Sequence, residues 1–515
     1  MQRTNFYALQ SPSSISLASS NGEDFLSQSS SSENSSGDRP FNKRRKRGKK
    51  NLPLSYLKTD VNTHLPRSGS LSPNSILHHF CSPSHPPSAP WISPPTNVST
   101  SQPIATPPVS ESPSTSPVSR WDELEVRARD IKESGYPYTF TEAGRQLFLL
   151  LDSDILATRR PYRRFLQYTG QKAQILVNAL QWILQFHPSL EGPQRRKLLK
   201  ALLRLTQRNR MLPEVYRIRD VGIGEVAYQS SGVDVYRGTH RGRVVCLKKY
   251  RSFNEVTQGE TTEMWIKEAV LWFNHRHPGI IPFEGILQVG PSPKSTYLVS
   301  PFLEHGTVPN FLNSHPHVDR RLLVQDILSA IAFLHESHVV HGDIKGCNVL
   351  VNQSGRAVLA DLGLSRLSDS DVITWTSIQT TSLSAGTLPF LAPELLRAHQ
   401  TIMTPSTASD VYALGCFTYE VFTGLAPFGE IIRGLRYGAA AHQMATHVGM
   451  NGRHPSKPPF GSAPYLKFGL TEDIWSMMEN CWNFEARTRP TANQLLQQWP
   501  FLTKLVDIGP SILED

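Results

Sequence analysis

A short polar cluster in the second half of the chain constrains its fold more than any other feature. Between His341 and Leu350 the sequence reads His-Gly-Asp-Ile-Lys-Gly-Cys-Asn-Val-Leu, and Asp361-Leu362-Gly363 begins eleven residues after that stretch. A carboxylate, an ammonium group and an amide thus stand within six residues, with a second carboxylate shortly downstream. Because turns alone would not require this combination of residue types, order and spacing, we interpret the cluster as a chemical site.

Phosphoryl transfer needs the same set of groups: cations near the phosphates, a carboxylate that orients the attacking hydroxyl, and little covalent work by the protein. The cluster resembles two motifs of the protein kinase family, the catalytic loop H-R-D-x-K-x-x-N and the metal-binding D-F-G. The resemblance implies that Asp343 orients or accepts the proton of the substrate hydroxyl, and that Lys345 neutralises the transferred γ-phosphate. It also implies that Asn348 and Asp361 hold Mg²⁺, so the expected cofactors are ATP and Mg²⁺.

A lysine upstream of the cluster extends the resemblance. Lys248 closes a Val-Cys-Leu-Lys stretch that looks like the V-A-I-K strand motif, which implies that it grips the α- and β-phosphates. Glu260, Glu263 and Glu268 compete to be its partner on the following helix. We favour Glu268 because it stands the family's nine residues before His277-Pro278-Gly279.

The adenine slot and the structural anchors follow from the same resemblance. Residues implied to contact the nucleotide are Gly232, Val235, Cys246 and Leu350, with Ser300 at the rear of the slot. Ala392-Pro393-Glu394 matches the A-P-E segment, and Arg489 matches the late arginine that pairs with its glutamate. Asp410 matches the helix aspartate that holds the backbone of the catalytic loop.

The order of secondary-structure patterns indicates an α+β protein. Short β-type runs occur at Val244–Leu247 and Thr296–Val299, and longer helical patterns follow from about Leu322. We therefore expect a two-lobed kinase fold over 217–501, with a small β-rich lobe ahead of a larger helical lobe. Residues 502–515 would form a short C-terminal tail.

The phosphate-binding loop departs from the family pattern. Where G-x-G-x-x-G-x-V is expected, the stretch Tyr228–Val235 keeps only Gly232, and that glycine is out of register. Glycines let backbone amides approach a phosphate closely, so weaker nucleotide binding is expected here.

Two further departures lie in the catalytic and metal motifs. Leu362 replaces the phenylalanine of D-F-G and can fill the same apolar slot. Gly342 replaces the arginine of H-R-D, which in related kinases pairs with a phosphate on the activation segment. Because glycine cannot make that bond, we predict that phosphorylation of the hydroxyls between Asp361 and Glu394, Thr387 excluded, is not the on-switch. The alternative is that Arg366, or a basic residue of another segment, receives a phosphate there.

The first 119 residues are rich in serine and proline and show no sustained apolar period, so they are expected to be disordered. Within them the basic run at 43–50 contributes much of the net charge of +10. Such a run can be read by a nuclear import receptor, attract nucleic acid or anionic lipid, or keep the tail solvated. Without aromatic residues interleaved among the basic ones, we do not expect a nucleic-acid-binding protein.

The expected location is intracellular. The five cysteines are odd in number, scattered and free of CxxC pairs, which argues against a disulfide framework or a zinc site. The first residues do not show the charged-then-apolar pattern expected of a signal peptide, and no stretch approaches the roughly 18 apolar residues that a spanning helix needs. We expect a soluble protein of the cytoplasm, and of the nucleus if the basic run is an import signal.

Residues 120–213 are predicted to form a small amphipathic helical module. Apolar residues recur at helical spacing up to a stop near His187-Pro188. A second helix begins after Pro193, with Leu198, Leu202 and Leu205 on one face. The module is either a prelude that packs on the next domain or a surface for partner binding or self-association.

The sequence as a whole predicts an ATP-dependent serine/threonine protein kinase that acts on protein substrates in signalling. Lys345 and Thr387 indicate a serine or threonine acceptor, and the stretches His341–Gly346 and Trp375–Leu396 look most like the tyrosine-kinase-like group expanded in mushroom-forming fungi. The alternative is a pseudokinase scaffold, which the altered phosphate loop favours and the complete set of charged residues opposes.

Overall fold

The computed structural model describes residues 119–230, 232–251, 255–290, 295–368, 386–397 and 404–499. The predicted N-terminal tail with its basic run lies outside the described residues except for Ser119, and so does the predicted C-terminal tail. Most of the hydroxyl-rich segment after Asp361 also lies outside them.

Five helices open the described part of the chain, and we refer to them as the helical bundle. The fourth ends just before His187-Pro188, because the residue before a proline disfavours helical backbone. The fifth carries Pro193 in its first turn, and it buries Leu198, Leu202 and Leu205 as the spacing predicts. The five are α1 (Arg120–Glu133), α2 (Glu142–Leu149), α3 (Arg159–Phe165), α4 (Gly170–Phe186) and α5 (Gly192–Asn209).

A five-stranded antiparallel sheet follows, in the order β1-β2-β3-β5-β4. Alternation along β3 turns Val245 and Leu247 into a small core on one face of the sheet and Lys248 to the other. Helix α6 (Glu255–Asn274) joins β3 to β4. The strands are β1 (Val221–Gln229), β2 (Val233–His240), β3 (Arg243–Tyr250), β4 (Gly285–Val289) and β5 (Ser295–Pro301).

The remainder of the described chain is mainly helical and contains two short antiparallel strand pairs, β6 with β9 and β7 with β8. Its central helix, α10, is almost wholly buried; a capping box at Ser406 starts it, and Gly424 ends it in left-handed backbone. The elements are α7 (Val308–Ser314), α8 (Arg320–Glu336), β6 (Val339–Val340), β7 (Val349–Val351), β8 (Ala357–Leu359), β9 (Arg366–Leu367), α9 (Pro393–Leu396), α10 (Thr407–Thr423), α11 (Gly429–Ile432), α12 (Tyr437–Met444), α13 (Ala463–Leu466), α14 (Glu472–Cys481) and α15 (Ala492–Gln498).

A sheet-rich lobe therefore precedes a helical lobe, and the predicted α+β two-lobed fold is confirmed. One continuous apolar core links the helical bundle, α6 and the helical lobe. Within the described residues, no helix combines the length and apolar character needed to cross a membrane.

Candidate active site

Helix α10 holds the loop between β6 and β7 through hydrogen bonds to one buried carboxylate. The Asp410 carboxylate, 1% exposed, accepts hydrogen bonds from the backbone amides of His341 and Gly342, both at 2.8 Å. Gly342 has a φ of +82°, and a Cβ there would lie 3.3 Å from the Leu364 carbonyl oxygen. Glycine thus suits a backbone position that an arginine would occupy only under strain.

Three polar side chains of this loop converge on one another. The Lys345 ammonium donates to both carboxylate oxygens of Asp343, at 2.7 and 2.9 Å, and to the Thr387 hydroxyl at 2.8 Å. The Asn348 amide nitrogen donates to Asp343 Oδ2 at 2.8 Å. Burial alone would lower the pKa of Lys345, but the Asp343 carboxylate outweighs it and raises that pKa.

The β-rich lobe contributes a second charged group, centred on Lys248 of β3. Its ammonium donates to Glu268 Oε1 at 3.0 Å and to Asp361 Oδ1 at 2.6 Å. Glu268 is the partner that the sequence favoured; its side chain is fully buried, whereas the competing Glu263 is exposed. The side chain of Glu260 lies outside the described residues.

Electrostatics keeps Lys248 and Asp361 charged, whereas burial raises the pKa of the Glu268 carboxyl. Burial would lower the pKa of the Lys248 ammonium, but the Asp361 and Glu268 carboxylates raise it well above the usual lysine value. Desolvation would likewise raise the pKa of Asp361, yet Lys248 lowers it to about 2. Since the Asp361 side chain is 41% exposed, its pairing with Lys248 rather than desolvation sets the direction. A cation is thus fixed between two carboxylates that come from different elements.

Tyr250 is a member of this group that the sequence reasoning missed. Its hydroxyl donates to Glu268 Oε2, so Glu268 is held from both sides. A Cβ at Gly363 would lie 2.7 Å from the Tyr250 oxygen, which places that hydroxyl over the Asp361-Leu362-Gly363 turn. Its position two residues after Lys248 was an available signal, because alternate residues of a strand share one face.

Glu420 was also missed. Its Oε2 accepts a 2.8 Å hydrogen bond from the Gly346 amide, next to Lys345, and a Cβ at Gly346 would lie 2.5 Å from that oxygen. Burial raises the pKa of the Glu420 carboxyl to about 7. The contact joins residues 74 apart, so local pattern could not reveal it.

The predicted adenine-slot residues lie on both lobes. Cys246 of β3 pairs in register with Ser300 of β5, and burial raises the pKa of the Cys246 thiol. Val235 lies opposite Lys248 on the neighbouring strand. Leu350 is on β7 in the helical lobe, where it bridges to Thr307. The structure thus places Val235, Cys246 and Ser300 on the sheet and Leu350 on the opposite lobe.

The β1–β2 turn is closed by its own side chain. The Ser230 amide donates to the Val233 carbonyl at 2.9 Å, and the Val233 amide donates to the Ser230 hydroxyl at 3.1 Å. Gly232 accepts from the Arg251 amide at 2.9 Å through its carbonyl. Tyr228 projects outward and is 59% exposed. The turn forms without glycine at the three family positions, and the Ser230 hydroxyl is hydrogen-bonded within the hairpin.

The predicted anchor in the helical lobe forms a bidentate ion pair. Arg489 donates from Nη1 and Nη2 to the two Glu394 oxygens, each at 2.8 Å, and from Nη1 to the Ala408 carbonyl at 2.9 Å. Planar pairing of this kind is geometrically specific. It ties the start of α9 to the loop before α15.

Asn348 and Asp361 are the residues that the resemblance assigns to a divalent metal, and each carries an oxygen that can ligate one. The Asn348 amide nitrogen donates to the Asp343 carbonyl, and the Asn348 Oδ1 accepts from the Cys347 thiol at 3.9 Å. No three His, Cys, Asp or Glu side chains converge on a metal position in the part of the chain that the structure describes. A carboxylate and an amide suit a hard cation whose other ligands are water and phosphate oxygens. The donor set therefore fits a metal that arrives with a nucleotide.

Comparison with known proteins agrees with this geometry. The protein kinase domain family matches residues 217–501. Similar curated proteins include a probable serine/threonine-protein kinase of Dictyostelium discoideum, 28% identical over 52% of this chain and 15% of its own length. They also include the probable serine/threonine-protein kinase SIS8 of Arabidopsis thaliana, 27% identical over 56% of this chain and 25% of its own.

A third relative is the mitogen-activated protein kinase kinase kinase 13-A of Xenopus laevis, 28% identical over 55% of this chain and 26% of its own length. The match thus spans about a quarter or less of each of these three relatives. The family match covers more than half of this chain, in the region that carries the charged site. The chain belongs to the protein kinase family.

Proposed function

We propose that this chain is an ATP-dependent serine/threonine protein kinase that transfers the γ-phosphate to protein hydroxyls. The observation that carries the proposal is the assembled charged group Lys248, Glu268 and Asp361, with Lys248 within 3.0 Å of both carboxylates. In protein kinases the pairing of this lysine with the helix glutamate and the placing of the metal-binding aspartate are both required for transfer.

The residues on the two lobes have different tasks in this proposal. Lys248 orients the α- and β-phosphates, and Glu268 fixes the direction of its ammonium. Asp343 orients the substrate hydroxyl and accepts its proton, and Lys345 balances charge on the transferred group. Asp410 holds the loop that carries Asp343 and Lys345, through backbone hydrogen bonds.

Asn348 and Asp361 are proposed to hold Mg²⁺. An ion held there with ATP would supply positive charge against the negative charge that develops on the phosphates during transfer. The contribution of the protein is to present one amide oxygen, from Asn348, and one carboxylate, from Asp361.

A serine or threonine acceptor is supported by Thr387. Its hydroxyl accepts from the same Lys345 ammonium that contacts Asp343, at 2.8 Å. Thr387, which lies where the substrate hydroxyl is expected to bind, is therefore hydrogen-bonded to the catalytic loop through Lys345. Two of the relatives named above are called probable serine/threonine-protein kinases, which supports the same acceptor class.

A pseudokinase scaffold is the second candidate, and the β1–β2 turn is what favours it. That turn lacks the glycines that let amides approach a phosphate, and Ser230 uses its hydroxyl on Val233. The charged residues that oppose a pseudokinase are all present, and Lys248 and Lys345 are each paired with a carboxylate. We therefore propose an active enzyme with weakened nucleotide affinity.

The deciding experiment is ATP turnover by the purified full-length chain with Mg²⁺ and a mixture of serine, threonine and tyrosine peptides. Incorporation on serine or threonine that is lost in Asp343→Asn supports the proposal. Nucleotide binding without turnover, under conditions where a reference kinase is active, would establish the scaffold function instead.

A further inference from the structure

Arg195 in the helical bundle reaches the C-terminal end of α6. Its guanidinium donates from Nη1 to the Leu184 carbonyl at 3.0 Å and from Nη2 to the Asn274 carbonyl at 2.9 Å. Leu184 lies in the last turn of α4, and Asn274 is the last residue of α6. A cation at helix C-termini satisfies carbonyls that have no partner within the helix and opposes the helix dipole. One side chain thus caps two helices and joins them.

An amide pair makes a second link at the same end of α6. Asn274 donates to Gln181 Oε1 at 3.0 Å, and Gln181 returns a bond to Asn274 Oδ1 at 3.2 Å. The Tyr216 hydroxyl donates to Gln181 Oε1 at 2.6 Å. All three side chains are buried, so each bond replaces water that cannot reach the site. The end of α6 is therefore specified by polar groups that lie before the sheet in sequence.

Apolar packing extends the contact along α6. Ile266, Ala269 and Val270 are fully buried in the same core as Leu198 and Leu202 of α5. In addition, Gln207 of α5 donates to the Glu263 carbonyl at 3.4 Å. The bundle therefore contacts α6 on either side of Glu268 in sequence.

We propose that the helical bundle is a built-in positioning element for α6, and that Arg195 and Gln181 hold Glu268 against Lys248. Glu268 is six residues before Asn274, about 9 Å along a helix, so rotation or shift at the capped end moves its carboxylate directly. Gly342 offers no side chain through which an activation-segment phosphate could brace the catalytic loop. In this proposal the bundle supports α6 at all times, without any phosphate on the activation segment. This inference rests on the proposed kinase activity.

The test compares Arg195→Leu with Lys197→Gln in the full-length chain. Lys197 lies on the same helix and pairs with Asp152 inside the bundle, so its change is matched in charge but leaves α6 untouched. For each variant, peptide kinase kinetics and hydrogen exchange of the α6 backbone amides are measured beside the wild type. Arg195→Lys, which keeps a cation at the two helix ends, is the rescue variant.

We expect Arg195→Leu to lower kcat/KM by about tenfold, the size of one lost charge-assisted hydrogen bond. The loss should appear mainly in kcat, because Glu268 aligns a group rather than filling the adenine slot. Exchange in α6 should rise by a similar factor while that of α8 and α10 stays at the wild-type rate. Arg195→Lys should recover part of both, and Lys197→Gln should change neither.

Three results would overturn the inference: wild-type kinetics in Arg195→Leu, lost activity with unchanged α6 exchange, or an equal loss in Lys197→Gln. If Arg195→Leu does not fold, Arg195→Lys carries the same comparison with a smaller expected effect. Hydrogen exchange needs no turnover, so it separates this inference from the proposed function. Inactive wild-type protein would reject the kinase proposal, whereas α6 protection that is unaffected by Arg195 would reject the positioning role.

Discussion

The charged group around Lys248 and the β1–β2 turn face the same expected nucleotide but are built in opposite ways. In the charged group every member has a partner on another element, and Glu268 is fully buried. The turn is closed by bonds within one hairpin, Ser230 to Val233, and its neighbour Tyr228 projects into solvent.

The difference shows where sequence change is tolerated. Removing one member of a buried ion pair leaves an uncompensated charge and costs about 3–5 kcal/mol, so such a group changes as a whole or not at all. The described residues of the turn, Ser230, Gly232 and Val233, include no charged side chain, so changes there carry no such penalty. The family's glycines could therefore be lost from the turn while Lys248, Glu268 and Asp361 stayed together.

The largest effect is expected from Asp343→Asn. Transfer should fall at least about 100-fold, roughly the contribution of a positioned base, while ATP binding persists because Asp343 contacts Lys345 and Asn348 rather than Lys248. Phosphate incorporation and nucleotide titration on the same sample measure the two properties. The exposed Asp473→Asn on α14 is the matched control. Transfer at the wild-type rate in the Asp343 variant would reject the assignment of that carboxylate.

A smaller effect is expected from Tyr250→Phe. The change removes one hydrogen bond to Glu268 and keeps the ring, so kcat/KM should fall by about fivefold, near 1 kcal/mol. Tyr236→Phe, on the same sheet but packed against the core of its other face, should have no effect. Steady-state kinetics at fixed Mg²⁺ makes the measurement. Equal behaviour of the two variants would show that Glu268 does not depend on the Tyr250 hydroxyl.

The turn gives an effect of opposite sign. The double change Ser230→Gly and Val233→Gly should raise ATP affinity by about threefold, because freed amides approach the phosphates while each glycine costs about 0.5–1 kcal/mol of chain entropy. Calorimetric titration of ATP compares it with Arg241→Gly, which adds glycine to the exposed β2–β3 turn. Unchanged or weaker binding in the double variant would mean that the serine turn already serves the phosphates.

The smallest effect is expected from the activation segment. Replacing its ten hydroxyl residues with alanine should change turnover by less than about tenfold, under roughly 1.4 kcal/mol in barrier terms. The set is Ser365, Ser368, Ser370, Thr374, Thr376, Ser377, Thr380, Thr381, Ser382 and Ser384.

Ser365 needs a separate variant, because its side chain is fully buried and its hydroxyl donates to the His341 carbonyl at 3.3 Å. A loss confined to Ser365→Ala would report on packing of the catalytic loop. An active, folded enzyme silenced by phosphatase treatment, or by the other nine changes, would contradict the argument from Gly342.

Much of the site followed from sequence because its members are close in the chain or recur at family spacing. Asp343, Lys345 and Asn348 stand within six residues, so a single loop carries all three. Its spacing from His277-Pro278-Gly279 distinguished Glu268 from two competing glutamates. In the structure Glu268 accepts a hydrogen bond from Lys248. The roles of these residues remain predictions that the variants above address.

What the sequence by itself determined is the two-lobed fold and the identity of the charged groups, since apolar periodicity and local motifs carry that information. Only the tertiary structure decided that Tyr250 holds Glu268, that Glu420 caps Gly346 and that Arg195 joins the bundle to α6. The last two contacts span 74 and 79 residues, and nothing in either partner's neighbourhood distinguishes it from other glutamates or arginines. Such pairs arise because packed helices bring buried polar ends together, and each end must find a partner wherever the fold supplies one.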